Sequence, residues 1–189
     1  MARVVPQSFS NFVRDWAFAV MTTCKIMLLG EMGVGKTSIA KQLVFGTFDG
    51  EYGSTIGVEI YTYDVEPPPD GDPFKFLIWD TDGSFGESFF NLVYIRQAQA
   101  ALIVGDVTRP STLESAARLT EAFADAMPGR YFATVLNKCD MLEDPEQLVL
   151  PEQLQMPDFP LVRTSAKTGM NIKDTFYEAA QTITRRGLF

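Results

Sequence analysis

Histidine is missing from this chain of 189 residues. That removes the commonest general base and metal ligand together, and with it Ser-His-Asp hydrolysis and histidine-bound zinc hydrolases. Cysteine is nearly missing: Cys24 and Cys139 are the only two, too few for a disulfide framework or a thiolate zinc site. Such sparing use fits a reducing, intracellular compartment. Basic charge is scarce as well, with 16 Lys and Arg against 24 Asp and Glu for a net charge of −8. No Lys/Arg cluster interrupts that balance, so nucleic acid is not an expected partner. Long apolar runs are also lacking. The longest N-terminal one, WAFAVM (Trp16 to Met21), follows Asp15 and has neither the basic start nor the longer core of a secretory signal; nothing approaches a membrane span.

What is there is a folded α/β pattern. Hydrophobic residues make up 46% of the chain, as in globular domains. CKIMLLG (24–30), IGVEIYTYDVE (56–66), FKFLIWD (74–80), ALIVGDVT (101–108), RYFATVLNKCD (130–140) and FPLVRTSA (159–166) contain strands. GKTSIAKQLVFG (35–46), ESFFNLVYIRQA (87–98), PSTLESAARLTEAFADAM (110–127) and GMNIKDTFYEAAQTITRR (169–186) have helical patterning. Strands that alternate with helices through short links predict a doubly wound, mostly parallel sheet. EPPPDGDP (66–73) is a turn too short to hold a crossover helix, so the strands on either side of it form one antiparallel pair. No internal repeat or low-complexity segment interrupts the pattern. Residues 1–21 read as an N-terminal extension and 22–189 as the domain.

GEMGVGKT (Gly30 to Thr37) fits G-x-x-x-x-G-K-[ST] between a predicted strand and a predicted helix. Glycines let the backbone curl so that successive N–H groups face phosphate oxygens, and the following helix adds its positive end. Lys36 would reach the β and γ phosphates and Thr37 would offer its hydroxyl to Mg²⁺. The loop implies a nucleoside triphosphate without naming the base. NKCD (Asn137 to Asp140) follows a buried strand. A carboxylate at Asp140 can accept from N1 and N2 of guanine, where adenine has no donor. The backbone of TSAK (Thr164 to Lys167), after the last strand, can offer an N–H to guanine O6. WDTDGSFG (Trp79 to Gly86) ends a strand with two carboxylates, Asp80 and Asp82, which would repel an anion unless a cation intervenes.

These motifs together resemble the Ras superfamily of small GTPases, and within it the Rab branch. GEMGVGKT, YGSTIGVE, WDTDG, NKCD and TSAK stand in that family's order and near its spacings, across about Cys24 to Arg186. The resemblance implies a six-stranded sheet with about five helices, guanine nucleotide with Mg²⁺, two switch segments, and effector, exchange-factor and GAP partners. It implies that Gly30, Glu31, Met32, Gly33, Val34, Gly35, Lys36, Thr37 and Ser38 wrap the phosphates, and that Asn137, Lys138, Asp140, Ser165, Ala166 and Lys167 hold the base. By the same resemblance Thr55 joins Thr37 and Asp80 at the metal, and the N–H of Gly83 contacts the γ-phosphate. Phe48 matches an aromatic set against the guanine, or is a core Phe; Tyr52 covers the phosphates, or is solvated. Trp79 and Tyr94 match aromatics shown to effectors, with Ile60 at the third such position, or they are packed inside.

The departures from the family bear on catalysis. Ser84 stands where the family has the Gln that orients the attacking water, Asp82 where it has Ala, and Met32 where it has a small residue near the entry of a GAP arginine. Among the catalytic positions Ser84, Gly83 and Lys36, Ser84 is too short to hold a water in line with phosphorus. No arginine lies between Phe45 and Thr55 to act in cis. The expectation is a switch with slow hydrolysis that depends on a partner for the arginine and for the water-orienting group. The alternatives are a GTP-binding interaction module with negligible hydrolysis and, from another class, an ATP-using phosphate-loop enzyme such as a kinase, against which NKCD argues. Asp82 is expected to turn toward solvent rather than accept a hydrogen bond or reach the metal shell. The chain ends ITRRGLF without a cysteine, so Rab-type prenylation is not expected. Phe9, Phe12, Val13, Trp16, Ala17 and Val20 recur at helical spacing. They form a face that docks on the domain or a partner, lies on a membrane, or precedes a natural start at Met21. The expected location is cytoplasmic, with peripheral membrane contact through that face.

Overall fold

Six consecutive buried residues, Cys24 to Leu29, run through the first strand, the pattern of a parallel strand covered on both faces. The structure is a computed structural model and describes residues 21–50, 55, 57–66, 73–83, 98–144, 148–157 and 159–188. In chain order the elements are β1 (Thr22–Leu29), α1 (Lys36–Phe45), β2 (Val58–Val65), β3 (Phe74–Thr81), β4 (Ala100–Asp106), α2 (Pro110–Ala126), β5 (Tyr131–Asn137), β6 (Leu161–Arg163) and α3 (Ile172–Arg186). One six-stranded sheet has the order β2-β3-β1-β4-β5-β6. β2 and β3 pair antiparallel, and every other pairing is parallel. This is the expected fold class.

The helices divide the core. Cys24, Ile26, Leu28, Phe76, Ile78, Leu102 and Val104 point to one face, where Ile39 and Leu43 of α1 and Phe176 and Ile183 of α3 cover them. Phe176 is fully buried and meets Phe76 edge-on at 5.6 Å between ring centroids. On the other face, Met27, Leu29, Ala101 and Ile103 pack under Ala116 and Phe123 of α2. From β1 the chain moves first to β2 and β3 on one side, then to β4 on the other. The crevice outside the carboxyl end of β1 is therefore a topological switch point, where open α/β sheets bind ligands.

The helix count is lower than expected: three α-helices among the described residues, against about five. The helix expected at 87–98 lies almost wholly outside the described residues. Between β5 and β6 the described chain forms two short 3₁₀ turns, Cys139–Met141 and Glu152–Gln155. Pro145, Pro151, Pro157 and Pro160 crowd this link, and each removes a backbone donor that a helix interior would need.

Candidate functional site

The phosphate loop joins the end of β1 to α1. Gly30, Gly33 and Gly35 all have positive φ. At Gly35, where φ is 101°, a Cβ would come within 2.3 Å of Asn137 Nδ2; glycine fits both the left-handed backbone and the close approach. Four carbonyls of the loop are occupied. Lys36 Nζ donates to Gly30 O at 2.8 Å and to Glu31 O at 2.9 Å. Arg109 Nη2 donates to Met32 O at 3.0 Å, and Asn137 Nδ2 donates to Val34 O at 2.9 Å. Burial brings the Lys36 ammonium down to about 8, with the charges of Asp80 and Asp82 opposing that fall.

A cleft of about 810 Å³ opens over the loop. Its walls include Met32, Gly33, Gly35, Lys36, Thr37, Ser38, Phe48, Thr55, Gly83, Asn137, Lys138, Asp140, Ala166 and Lys167. Gly30, Glu31, Val34, Asp80 and Ser165 stand behind these residues through hydrogen bonds or packing. Phe48 is 42% exposed, so it lines the mouth of the cleft and is not a core residue. Tyr52, Ser84 and Tyr94 lie outside the described residues. Lys41 and Asp49, which the motifs did not single out, pair at 3.3 Å at the cleft wall.

At one end Thr37 opens α1, Asp80 ends β3, and Thr55 comes from the link before β2. Thr37 Oγ1 donates to Asp80 Oδ2 at 2.6 Å and lies 2.8 Å from Thr55 Oγ1. Its single proton goes to Asp80, so Thr55 is the donor between the two threonines. Asp80 is fully buried, and its Oδ1 has no hydrogen-bond partner among the described residues. Burial pushes its carboxyl up to about 6, against the pull of the Thr37 hydroxyl and Lys36. A buried carboxylate oxygen without a donor is costly. Two hydroxyls and a carboxylate, all hard oxygens, fit a magnesium ion.

At the other end the partners are already made. Ser165 Oγ donates to Asp140 Oδ1 at 2.6 Å, and Lys167 Nζ stands 3.9 Å from Asp140 Oδ2. The backbone N–H of Ala166 donates to Asn137 Oδ1 at 3.1 Å. Lys138 adopts φ 67°, a conformation uncommon outside glycine, and its ammonium lies 2.7 Å from the buried Asp106 Oδ2. Burial raises the Asp106 carboxyl, but hydrogen bonds from Lys138 and Thr108 outweigh it and hold the group below its ordinary value.

Asp82 is half-buried at the cleft. It lines the cleft and acts on Lys36 through its charge; its own N–H donates to Gly57 O at 2.9 Å, which ties the backbone there. Gly83 packs tightly on the phosphate loop, where a Cβ would fall 2.2 Å from Met32 N. Trp79 and Ile60 are cross-strand neighbours. Lys25 Nζ sits 3.6 Å from the Trp79 ring centroid, and Ile60 is exposed. The cysteines are not part of this chemistry: burial pushes the Cys24 thiol up to about 12 and raises that of Cys139.

A sequence model of the Ras family matches residues 25–185. The chain is 34% identical over 166 residues to the Ras-related protein RABF2a of Arabidopsis thaliana, covering 85% of this chain and 81% of the relative. It is 36% identical over 167 residues to the Ras-related protein Rab5 of Nicotiana tabacum, with the same two coverages. Over 166 residues it is 32% identical to the Ras-related protein Rab-22A of Homo sapiens, covering 84% of this chain and 82% of the relative.

Proposed function

Starting from the fact that this chain belongs to the Ras family, as a Rab-like small GTPase, we propose that it is a switch that binds GTP or GDP with magnesium, hydrolyses GTP slowly, and signals through effectors in one nucleotide state. The observation that carries this reading is the meeting of Thr37, Thr55 and Asp80, from three separate segments, beside a buried Lys36. Thr37 and Thr55 would hold a magnesium ion, with Asp80 supporting it, and the ion would offset phosphate charge.

The chain's own residues divide the remaining work. The inward N–H groups of Gly30 to Ser38 and the Lys36 ammonium bind phosphate oxygens, giving positioning and charge stabilisation, which dominate phosphoryl transfer. Asp140 accepts from guanine, Ser165 fixes that carboxylate, and the N–H groups near Ala166 approach O6. Phe48 supports the base from the cleft mouth, and Tyr52 covers the phosphates. Gly83 presents its N–H to the third phosphate. Ser84, in place of a water-orienting Gln, leaves the attacking water poorly held, so turnover depends on a partner that supplies an arginine and the missing group. Exchange factors and effectors complete the cycle. The place of work we infer is the cytoplasm, with the apolar face at Phe9, Phe12 and Trp16 as the peripheral contact.

A second reading, a GTP-binding module with negligible hydrolysis, draws support from Ser84 and from the acid Asp82 beside Lys36. Extracting the nucleotide from the purified protein and following a single turnover of GTP tests both. Guanine nucleotide with slow phosphate release supports the switch, and GTP that persists without phosphate release supports the module. Adenine nucleotide, or none, overturns both.

A further inference from the structure

Arg109 belongs to none of the motifs, yet it touches the phosphate loop at Met32 and, through Asp106, is joined to Lys138 of NKCD. It occupies the N-cap position of α2 without a side-chain capping bond, and its side chain is 42% exposed. Nε donates to Asp106 Oδ2 at 3.0 Å, and Nη2 donates to the Met32 carbonyl at 3.0 Å. Asp106 Oδ2 is the oxygen that also takes Lys138 Nζ at 2.7 Å. Asp106 Oδ1 accepts the N–H and the hydroxyl of Thr108 at 2.9 and 2.7 Å, so this carboxylate is fixed on all sides. Beyond Met32, Gly83 sits so close that a Cβ there would collide with the Met32 nitrogen and Cα. Lys138, Asp106, Arg109, Met32 and Gly83 thus form one run of contacts. It passes outside the phosphate loop, from the base-binding end of the cleft to the residue assigned to the third phosphate.

We propose that Arg109 is a positioning residue that clamps the Met32 carbonyl to the Asp106–Lys138 pair and thereby favours the triphosphate-bound arrangement over the diphosphate-bound one. The inference rests on the guanine-nucleotide reading above. Its physical basis is the planar fork of the guanidinium, which serves two acceptors at fixed separation; a lysine ammonium in its place keeps the charge but not the fork. Without the clamp the Met32 peptide is free to turn, and the Met32–Gly83 approach that brings Gly83 to a third phosphate loosens. A diphosphate has no third phosphate for Gly83 to meet, so its binding depends less on that approach.

The test is release of fluorescent GDP and of a fluorescent non-hydrolysable GTP analogue, with magnesium, from the unmodified chain, Arg109→Ala and Arg109→Lys. Loss of one charge-assisted hydrogen bond predicts about tenfold faster release of the triphosphate analogue, with GDP release nearly unchanged. Arg109→Lys should resemble Arg109→Ala. Equal acceleration of both nucleotides overturns the inference, because a merely structural role would do that. Full rescue by lysine also overturns it, because charge alone would then suffice. If the unmodified chain binds neither nucleotide, the guanine-nucleotide reading falls first and takes this inference with it.

Discussion

At the Asn137–Ala166 end of the cleft, Asn137, Asp140 and Ser165 already have partners, whereas at the Thr37–Asp80 end a fully buried carboxylate oxygen has none. The first end is rigid by construction. Asn137 is 1% exposed and Ser165 is fully buried, and the hydrogen bonds that orient them come from the protein. The second end is built around a deficit: Asp80 carries a charge that burial opposes, and its neighbours are hydroxyls with lone pairs to give. On the proposed reading, selectivity for the base would be a property of the folded chain, while tight hold on the phosphates would wait for a cation. A switch needs that asymmetry, because the part that identifies the nucleotide stays constant and the part that senses its phosphates can change.

The sharpest way to break this contrast is at Asp140. Asp140→Asn puts a donor where guanine also donates and removes two hydrogen bonds to a charged acceptor. Affinity for GDP should fall by about 3 kcal/mol or more, on the order of a hundredfold, while xanthine nucleotides gain. Calorimetric titration checks it, and an unchanged GDP affinity would remove Asp140 from the base site.

A smaller effect is expected at the metal end. Asp82 lines the cleft near Lys36, so its charge should oppose a third phosphate. Asp82→Asn removes roughly 1 kcal/mol of repulsion in the water-filled cleft, at an effective dielectric near that of water, and the ratio of GTP-analogue to GDP affinity should rise about fivefold. A fall in that ratio would mean that Asp82 helps to hold the metal or the attacking water. The least effect is expected from removing residues 1–20, which precede β1. GDP affinity should stay within about twofold, well under 1 kcal/mol, while solubility or localisation changes. A large loss would show that the segment completes the core.

Contiguous motifs made much of this legible in advance. The phosphate loop, NKCD and TSAK each hold their key residues within a few positions, so local sequence carries both the residue types and their backbone setting. The strand and helix order was equally readable, because the buried runs at Cys24–Leu29 and Ala100–Asp106 can only be covered strands. What escaped was long-range. Arg109 meets Met32 across 77 residues, and Asp106 meets Lys138 through folding alone; neither pair has spacing to betray it. Asp82 is tied through its backbone to Gly57, far from it in the sequence, and no reading of neighbours in the chain supplies that. Among the described residues the β5–β6 link holds only two short 3₁₀ turns. The resemblance asked for about five helices, and the prolines were the signal that should have tempered that number.

The most direct test compares GDP with ADP on the unmodified chain, with magnesium and with a chelator. The account predicts that chelation speeds GDP release about tenfold or more, equivalent to roughly 1.4 kcal/mol, while the preference for GDP over ADP survives, because Asp140 and Ser165 hold their geometry without the ion. Comparable binding of ADP, or a preference that collapses once magnesium is withdrawn, would contradict it.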